Sequence, residues 1–165
     1  MTRITAERLR ELLHYDPQTG IFTHRFGRKG GSTKKGEIAG RVRAHDGHRR
    51  IGLDYGRYFA SRLAWLYMTG EWPPNEVDHI NCRPDDDRFA NLRLATRGEN
   101  GANRRIQSNS STGLKGVSLH YGKWRATIKK NRRPLHLGYF ATAEQAHSAY
   151  VAKSQELFGE FARTS

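Results

Sequence analysis

The chain has 165 residues and one cysteine, Cys82, and its longest apolar run covers only the six residues 63–68. These features exclude a disulfide framework, a four-cysteine zinc site and a membrane-spanning helix. Lysines and arginines number 29 against 16 acidic residues, which gives a net charge of +13. Such an excess favours a polyanionic partner, and nucleic acid is the commonest one. The start of the chain lacks a signal-peptide core, so we expect a cytoplasmic protein.

The positive charge lies at the two ends of the chain. Residues 1–72 carry 14 basic and 7 acidic side chains, and residues 106–165 carry 9 and 3. Residues 73–105 carry 6 of each and are therefore neutral. We interpret the ends as phosphate-binding flanks and the acid-rich middle as the place for a bound cation. The alternative is that the basic side chains only solvate the protein.

The N-terminal third predicts short elements. Thr5 is a helix cap before an amphipathic stretch, which predicts a helix over residues 6–14, and a turn then leads into a strand over 21–25. The glycine-rich segment 27–36 is either a surface tip or a phosphate contact. Short strands are expected within 37–59, and a helix over 60–69 ends ahead of two prolines.

The next segment, 77–103, concentrates the reactive side chains. Residues 76–80 form a short partly β-branched run that predicts a strand, on which the neighbours Asp78 and His79 point to different sides. A polar loop follows, and the alternation from Asn91 predicts a returning strand. The pattern Thr-Arg-Gly-Glu at 96–99 is a capping box, so a helix is expected to begin near residue 97 and to carry Asn100.

This strand, loop, strand and helix resemble the HNH endonuclease motif of the ββα-metal fold, in its phage and homing-type form. The matching residues are Asp78, His79, Asn91 and Asn100. The resemblance implies that His79 is the general base and that Asn91 orients its imidazole. It also implies that Asp78 and Asn100 hold one divalent ion, Mg²⁺ or Mn²⁺. Related sequences often have histidine where this chain has Ser61.

Other side chains in the segment are interpreted as structural rather than catalytic. Asp85, Asp86 and Asp87 lack the ligand spacing of a calcium loop, so we interpret them mostly as a solvated turn. Cys82 stands three residues after His79, but no further zinc ligands are evident, and we treat it as structural.

The C-terminal third predicts three strands over 115–120, 123–130 and 135–140, and a helix from the cap Thr142 to about Phe158. This region resembles the APETALA/ethylene-response-factor (ERF) DNA-binding domain, most clearly at Gly116-Val117, Gly122-Lys123-Trp124 and Leu137-Gly138. The resemblance implies a sheet laid in the major groove of DNA. The residues assigned to DNA contact are Lys115, Ser118, Trp124, Arg125, Thr127, Lys129, Arg132 and Arg133. Core packing is the alternative for Trp124.

Together these patterns predict an α+β protein. Its parts are a lead-in segment over 1–72, an HNH motif over 73–105, a linker over 106–114 and an ERF-like domain over 115–165. The predicted function is a metal-dependent endonuclease that acts on double-stranded DNA, with nicking favoured because one site handles one phosphodiester. No membrane and no protein partner is expected. A DNA-binding regulator with an inactive HNH site and an RNA-directed basic protein are the alternatives.

Overall fold

A computed structural model describes residues 3–27, 33–54, 56–106, 110–131 and 133–164. The chain forms two compact units, Met1–Leu94 and Ala95–Ser165. The division between them falls inside the predicted HNH segment. Small antiparallel sheets and short helices make up both units, so the predicted α+β class is confirmed. Within the described residues no helix is both long and apolar enough to cross a membrane.

The first unit begins with helix α1 (Ala6–Leu12), whose first turn is capped by the Thr5 hydroxyl. The helix ends two residues before the predicted limit because the chain turns directly into strand β1 (Leu13–Asp16). That strand pairs antiparallel with β2 (Ile21–His24). The alternation of buried and exposed residues that starts at Leu13 is a strand pattern, and it overrides the helical spacing.

A three-stranded antiparallel sheet follows, made of β3 (Arg41–Val42), β4 (Arg49–Leu53) and β5 (Gly56–Phe59) in that spatial order. Helix α2 (Ala60–Thr69) continues directly from it and ends at Gly70, which adopts the left-handed conformation with φ 84°. Both the strands and the helix were predicted. The two helices and the inner face of this sheet enclose the core, whose most buried large side chains are Leu9, Leu13, Tyr15, Phe22, Ile51, Leu63 and Leu66.

The predicted HNH elements are present. Strand β6 (Glu76–His79) pairs with β7 (Leu92–Ala95), and the loop between them closes with a short 3-10 turn, Phe89–Asn91. Helix α3 (Arg97–Asn103) then begins at a capping box in which Thr96 and Glu99 exchange hydrogen bonds, as the sequence predicts. Because the unit boundary follows Leu94, this helix belongs to the second unit.

The second unit adds strands β8 (Val117–His120), β9 (Lys123–Lys130) and β10 (Arg133–Phe140), with β9 in the centre. Helix α4 (Ala143–Phe158) covers one face of this sheet and buries Ala146 against Val117 and Ala126. Gly116 has φ +73°, and a Cβ there would overlap the ring of Tyr150 on the helix. The three-stranded sheet with one helix agrees with the predicted architecture of this region.

Candidate active site

The end of strand β6 places two polar side chains in the interior. Asp78 and His79 have only 5% and 6% of their surface exposed. They are neighbours on a strand, so they point to opposite sides and serve different partners. The Asp78 carboxylate accepts a hydrogen bond from Arg93 Nε at 3.0 Å, across from it on β7.

The His79 imidazole contacts a buried carboxylate. Its Nε2 lies 3.0 Å from Asp87 Oδ1, and Asp87 is only 2% exposed. The second carboxylate oxygen, Oδ2, is also buried and has no hydrogen-bond partner among the described residues. A buried carboxylate is costly unless it is paired, so the imidazole is the main compensation for this charge.

Asn91 fixes the loop that carries Asp87. Its side-chain oxygen accepts from the backbone N–H of Asn81 at 3.1 Å, and its amide donates to the backbone carbonyl of Asp86 at 2.8 Å. The backbone carbonyl of Asn91 also accepts from Ile80 N–H at 2.9 Å. Asn91 therefore holds the backbone of the loop from which Asp87 reaches His79.

A second network stiffens the outer side of this loop. Asp86 accepts two hydrogen bonds from the Arg88 guanidinium, both at 2.7 Å, and one from the Asn81 amide at 2.7 Å. The Arg88 hydrogen bonds lower the pKa of Asp86 to about 2, so the carboxylate stays charged at neutral pH. Of the three aspartates interpreted as a solvated turn, Asp85 is exposed, Asp86 is half-buried and Asp87 is buried. That interpretation was wrong for Asp87.

The hairpin of β1 and β2 supports the loop from the other side. The Tyr15 hydroxyl donates to the backbone carbonyl of Asp87 at 2.6 Å, and burial raises the pKa of this phenol, which keeps it a donor. Gly20 has φ +74°, and a Cβ there would overlap the backbone of Asp87 and Arg88. The position of Asp87 thus depends on contacts with residues about 70 positions earlier in the chain.

His48 is a second histidine at this site. Its ring centroid lies 5.6 Å from that of His79 and 5.2 Å from that of Phe59. Burial lowers the pKa of His48, and the nearby His79 acts in the same direction. His48 is therefore expected to be neutral at physiological pH.

Asn100, the last residue of the predicted motif, lies in the second unit. It occupies the final turn of α3, and its backbone N–H donates to the Thr96 carbonyl at 3.0 Å. Asn103 follows on the same face of the helix and is buried.

Comparison with known proteins finds a family model and relatives that match this part of the chain. The HNH endonuclease family model matches residues 58–102, which include Asp78, His79, Asn91 and Asn100. An uncharacterized HNH endonuclease of Acanthamoeba polyphaga mimivirus is 32% identical over 114 residues, 68% of this chain. Protein 3.8 of Escherichia phage T7 is 33% identical over 102 residues, 60% of this chain and 84% of that protein.

The chain carries a domain of the HNH endonuclease family at residues 58–102. Members of this family are DNA-cleaving enzymes. The chain spans 59% of the length of the mimiviral relative.

HNH endonucleases generally use a divalent metal ion. The buried Asp78 carboxylate is a hard oxygen ligand of the kind that Mg²⁺ and Mn²⁺ prefer. No group of three or more histidine, cysteine or acidic side chains in the described ranges is arranged to hold a metal. Magnesium in phosphoryl-transfer sites commonly needs only one or two carboxylates together with substrate phosphate. Asp78 is one such carboxylate, and its Oδ2 already accepts from Arg93 Nε at 3.0 Å.

Several of the residues assigned to DNA contact in the second unit line one groove. A groove of about 980 Å³ on the sheet face away from α4 is lined by Ser118, Arg125, Thr127, Lys129, Pro134 and His136, among others. The segment 104–106 and Ser110 border the same groove. Arg133 is exposed at the start of β10.

Two of the assigned residues have other contacts. Trp124 packs on the core of the second unit, beneath α4. The Lys115 ammonium donates to the backbone carbonyls of Ala102, Arg104 and Arg163, the last two at 2.8 and 2.9 Å, so it fastens the end of α3 to the end of the chain. Arg132 lies outside the described residues.

Asp87 is the residue of this site that the sequence did not reveal. Its position eight residues after His79 has no periodic relation to the strand, because the intervening chain is a loop. The signal that was available is the histidine itself. A histidine that acts as a base needs a partner to fix its tautomer, and three aspartates stand in the adjoining loop.

Proposed function

We propose that this HNH endonuclease hydrolyses phosphodiester bonds of double-stranded DNA, one strand at a time, with His79 as the general base. The observation that carries the proposal is the buried pair of His79 with Asp87 beside Asp78. A neutral imidazole carries a ring-nitrogen lone pair that can accept a proton from the attacking water. A viral or phage-infected cell is the setting suggested by the relatives.

Asp87 sets the tautomer of His79. When Nε2–H donates to the carboxylate, the lone pair is on Nδ1, and this nitrogen takes the proton of the attacking water. The imidazolium formed in that step is stabilised by the adjacent carboxylate. Asn91 acts through Asp87, because it holds the backbone of the loop that carries this residue.

Asp78 is proposed as the carboxylate ligand of one Mg²⁺ or Mn²⁺, with Asn100 as a second ligand on the basis of the motif spacing. The bound ion would supply charge stabilisation at the phosphate and at the leaving oxygen. Arg93 holds the Asp78 carboxylate in place through its Nε.

We further propose that the second unit targets the enzyme. The exposed face of its sheet carries Ser118, Arg125, Thr127 and Lys129 in one groove, with Arg133 at its edge. These residue types contact phosphates and base edges of duplex DNA. The ERF-like resemblance supports the same role, and Arg132 is retained in it on sequence grounds alone.

The direct test is nicking of supercoiled plasmid with Mg²⁺ or Mn²⁺. We expect open circles from the wild type and a loss of at least about 100-fold for His79→Ala, the usual contribution of a positioned base. No metal-dependent cleavage by the wild type, or cleavage by the alanine variant at the wild-type rate, would contradict the proposal. Linear product formed together with open circles would contradict single-strand cutting.

The alternative function is DNA binding without cleavage. Its supporting observation is the Asp78 contact with Arg93, since a guanidinium at 3.0 Å competes with a metal for one carboxylate oxygen. Tight binding of duplex DNA with no cleavage under Mg²⁺, Mn²⁺, Ca²⁺ or Zn²⁺ would favour this function.

A further inference from the structure

We infer that the outer face of the sheet β3–β4–β5 in the first unit is a second DNA-binding surface, which holds the phosphate backbone beside His79. The face is defined by Arg41, Arg43, His48, Arg50 and Arg57 and is called the arginine face below. The inference rests on the proposed function only in taking the bound polyanion to be DNA.

Strand register establishes this face. Arg41 is paired with Arg50, and Arg50 is paired with Phe59 on the third strand. Gly52 is paired with Arg57. Directly paired residues share a face and alternate residues return to it, so these side chains lie on one side.

The contacts of the side chains agree with the register. The Arg50 guanidinium lies 4.5 Å from the centroid of the Phe59 ring, and the His48 ring packs on the same phenyl group. The opposite side carries Ile51 and Leu53, both buried in the core, and is covered by α2. Arg41, Arg43 and Arg57 are thus exposed to solvent, whereas Arg50 is half-buried against Phe59.

The charge on the arginine face is poorly balanced within the first unit. Arg41, Arg43 and Arg57 are exposed and form no ion pair with any described residue. Of the carboxylates at the hairpin ends, Asp46 pairs with Arg50 of this face at 2.8 Å and Asp54 lies 3.6 Å from Arg8, so neither pairs with Arg41, Arg43 or Arg57. Like charges directly opposite each other on paired strands are destabilising, and Asp46 offsets the charge of Arg50 but not that of Arg41, Arg43 or Arg57.

The arginine face is continuous with the proposed catalytic base. The Arg43 backbone N–H donates a hydrogen bond to the His48 backbone carbonyl at 3.0 Å, and the centroid of the His48 ring lies 5.6 Å from that of His79. Neighbouring strands are about 4.8 Å apart, so the three strands present guanidinium groups over roughly 10 Å beside the site. A polyanion with closely spaced charges fits this array better than a single small anion does.

The test is the salt dependence of binding to a duplex of random sequence, measured in EDTA so that cleavage does not interfere. The variant Arg41→Gln/Arg57→Gln removes two charges from the arginine face. Arg3→Gln/Arg25→Gln removes two charges outside this sheet, one from the residues before α1 and one from the residue after β2, and is the matched control. Each lost phosphate contact lowers the slope of log K against log salt by about 0.9.

We expect the slope of log K against log salt to be shallower by about 1.8 in the arginine-face variant than in the wild type. Between 0.05 and 0.2 M salt, the loss of affinity should therefore be about 12-fold smaller for the variant than for the wild type. The control is expected to keep the wild-type slope. An unchanged slope in the arginine-face variant, or equal losses in both variants, would overturn the inference. Since binding is measured without metal, an enzyme that fails to nick would refute the proposed function and leave this result intact.

Discussion

Replacement of Asp87 by asparagine tests the central contact of the proposed site. The side chain keeps its shape, and the Tyr15 hydroxyl still reaches the backbone carbonyl of residue 87. What is lost is the negative charge 3.0 Å from His79 Nε2. A buried hydrogen bond to a charged group contributes about 1.5–3 kcal/mol, and this one strengthens as the imidazolium forms. We therefore expect the nicking rate to fall by about 10- to 150-fold.

The assay is single-turnover nicking with saturating enzyme, combined with measurement of the Kd for duplex DNA and of the unfolding midpoint in urea. The matched control is Asp85→Asn, because Asp85 is exposed in the same loop and its nearest ion-pair partner, Arg83, is 3.9 Å away. The control should nick within about twofold of the wild-type rate, since exposed pairs contribute little. A folded Asp87→Asn protein with unchanged Kd and a rate within twofold of the wild type would refute the assigned role of this carboxylate.

Three further outcomes are expected. Gly20→Ala should lower the free energy of unfolding by at least about 2 kcal/mol in urea melts, because the new Cβ adds left-handed strain and overlaps the loop backbone. Gly36 has φ +82° with open space around it, so Gly36→Ala should cost only the strain of about 1 kcal/mol. Equal losses of stability in the two variants would contradict the packing argument. Lys115→Met should lower the stability by about 2 kcal/mol because three carbonyls lose their donor, and loss of DNA affinity with unchanged stability would instead favour a direct DNA contact. Arg88 lowers the pKa of Asp86, so the stabilisation that the Asp86 carboxylate gives is full above about pH 4 and disappears towards pH 2. In urea melts Asp86→Asn should be less stable than the wild type by about 1 kcal/mol at pH 6, and this difference in stability should narrow below pH 4. A difference independent of pH would contradict the assignment.

The sequence by itself determined the local elements and the identity of the motif. The capping box at Thr96, the left-handed stop at Gly70 and the strand ending in Asp78 and His79 depend on neighbours a few residues away, so they could be recognised from residue order. The strands of the second unit were similarly predictable from alternation and turn residues.

Only the tertiary structure decided which side chains meet. Three successive aspartates have the same composition and the same loop, yet Asp87 alone is turned onto His79, because Tyr15 and Gly20 from the first hairpin fix the loop backbone. The alignment of Arg41 with Arg50 depends on strand register in the same way. Such contacts join residues far apart in the chain, and neither periodicity nor capping chemistry encodes them; they follow from how the elements close around a common core.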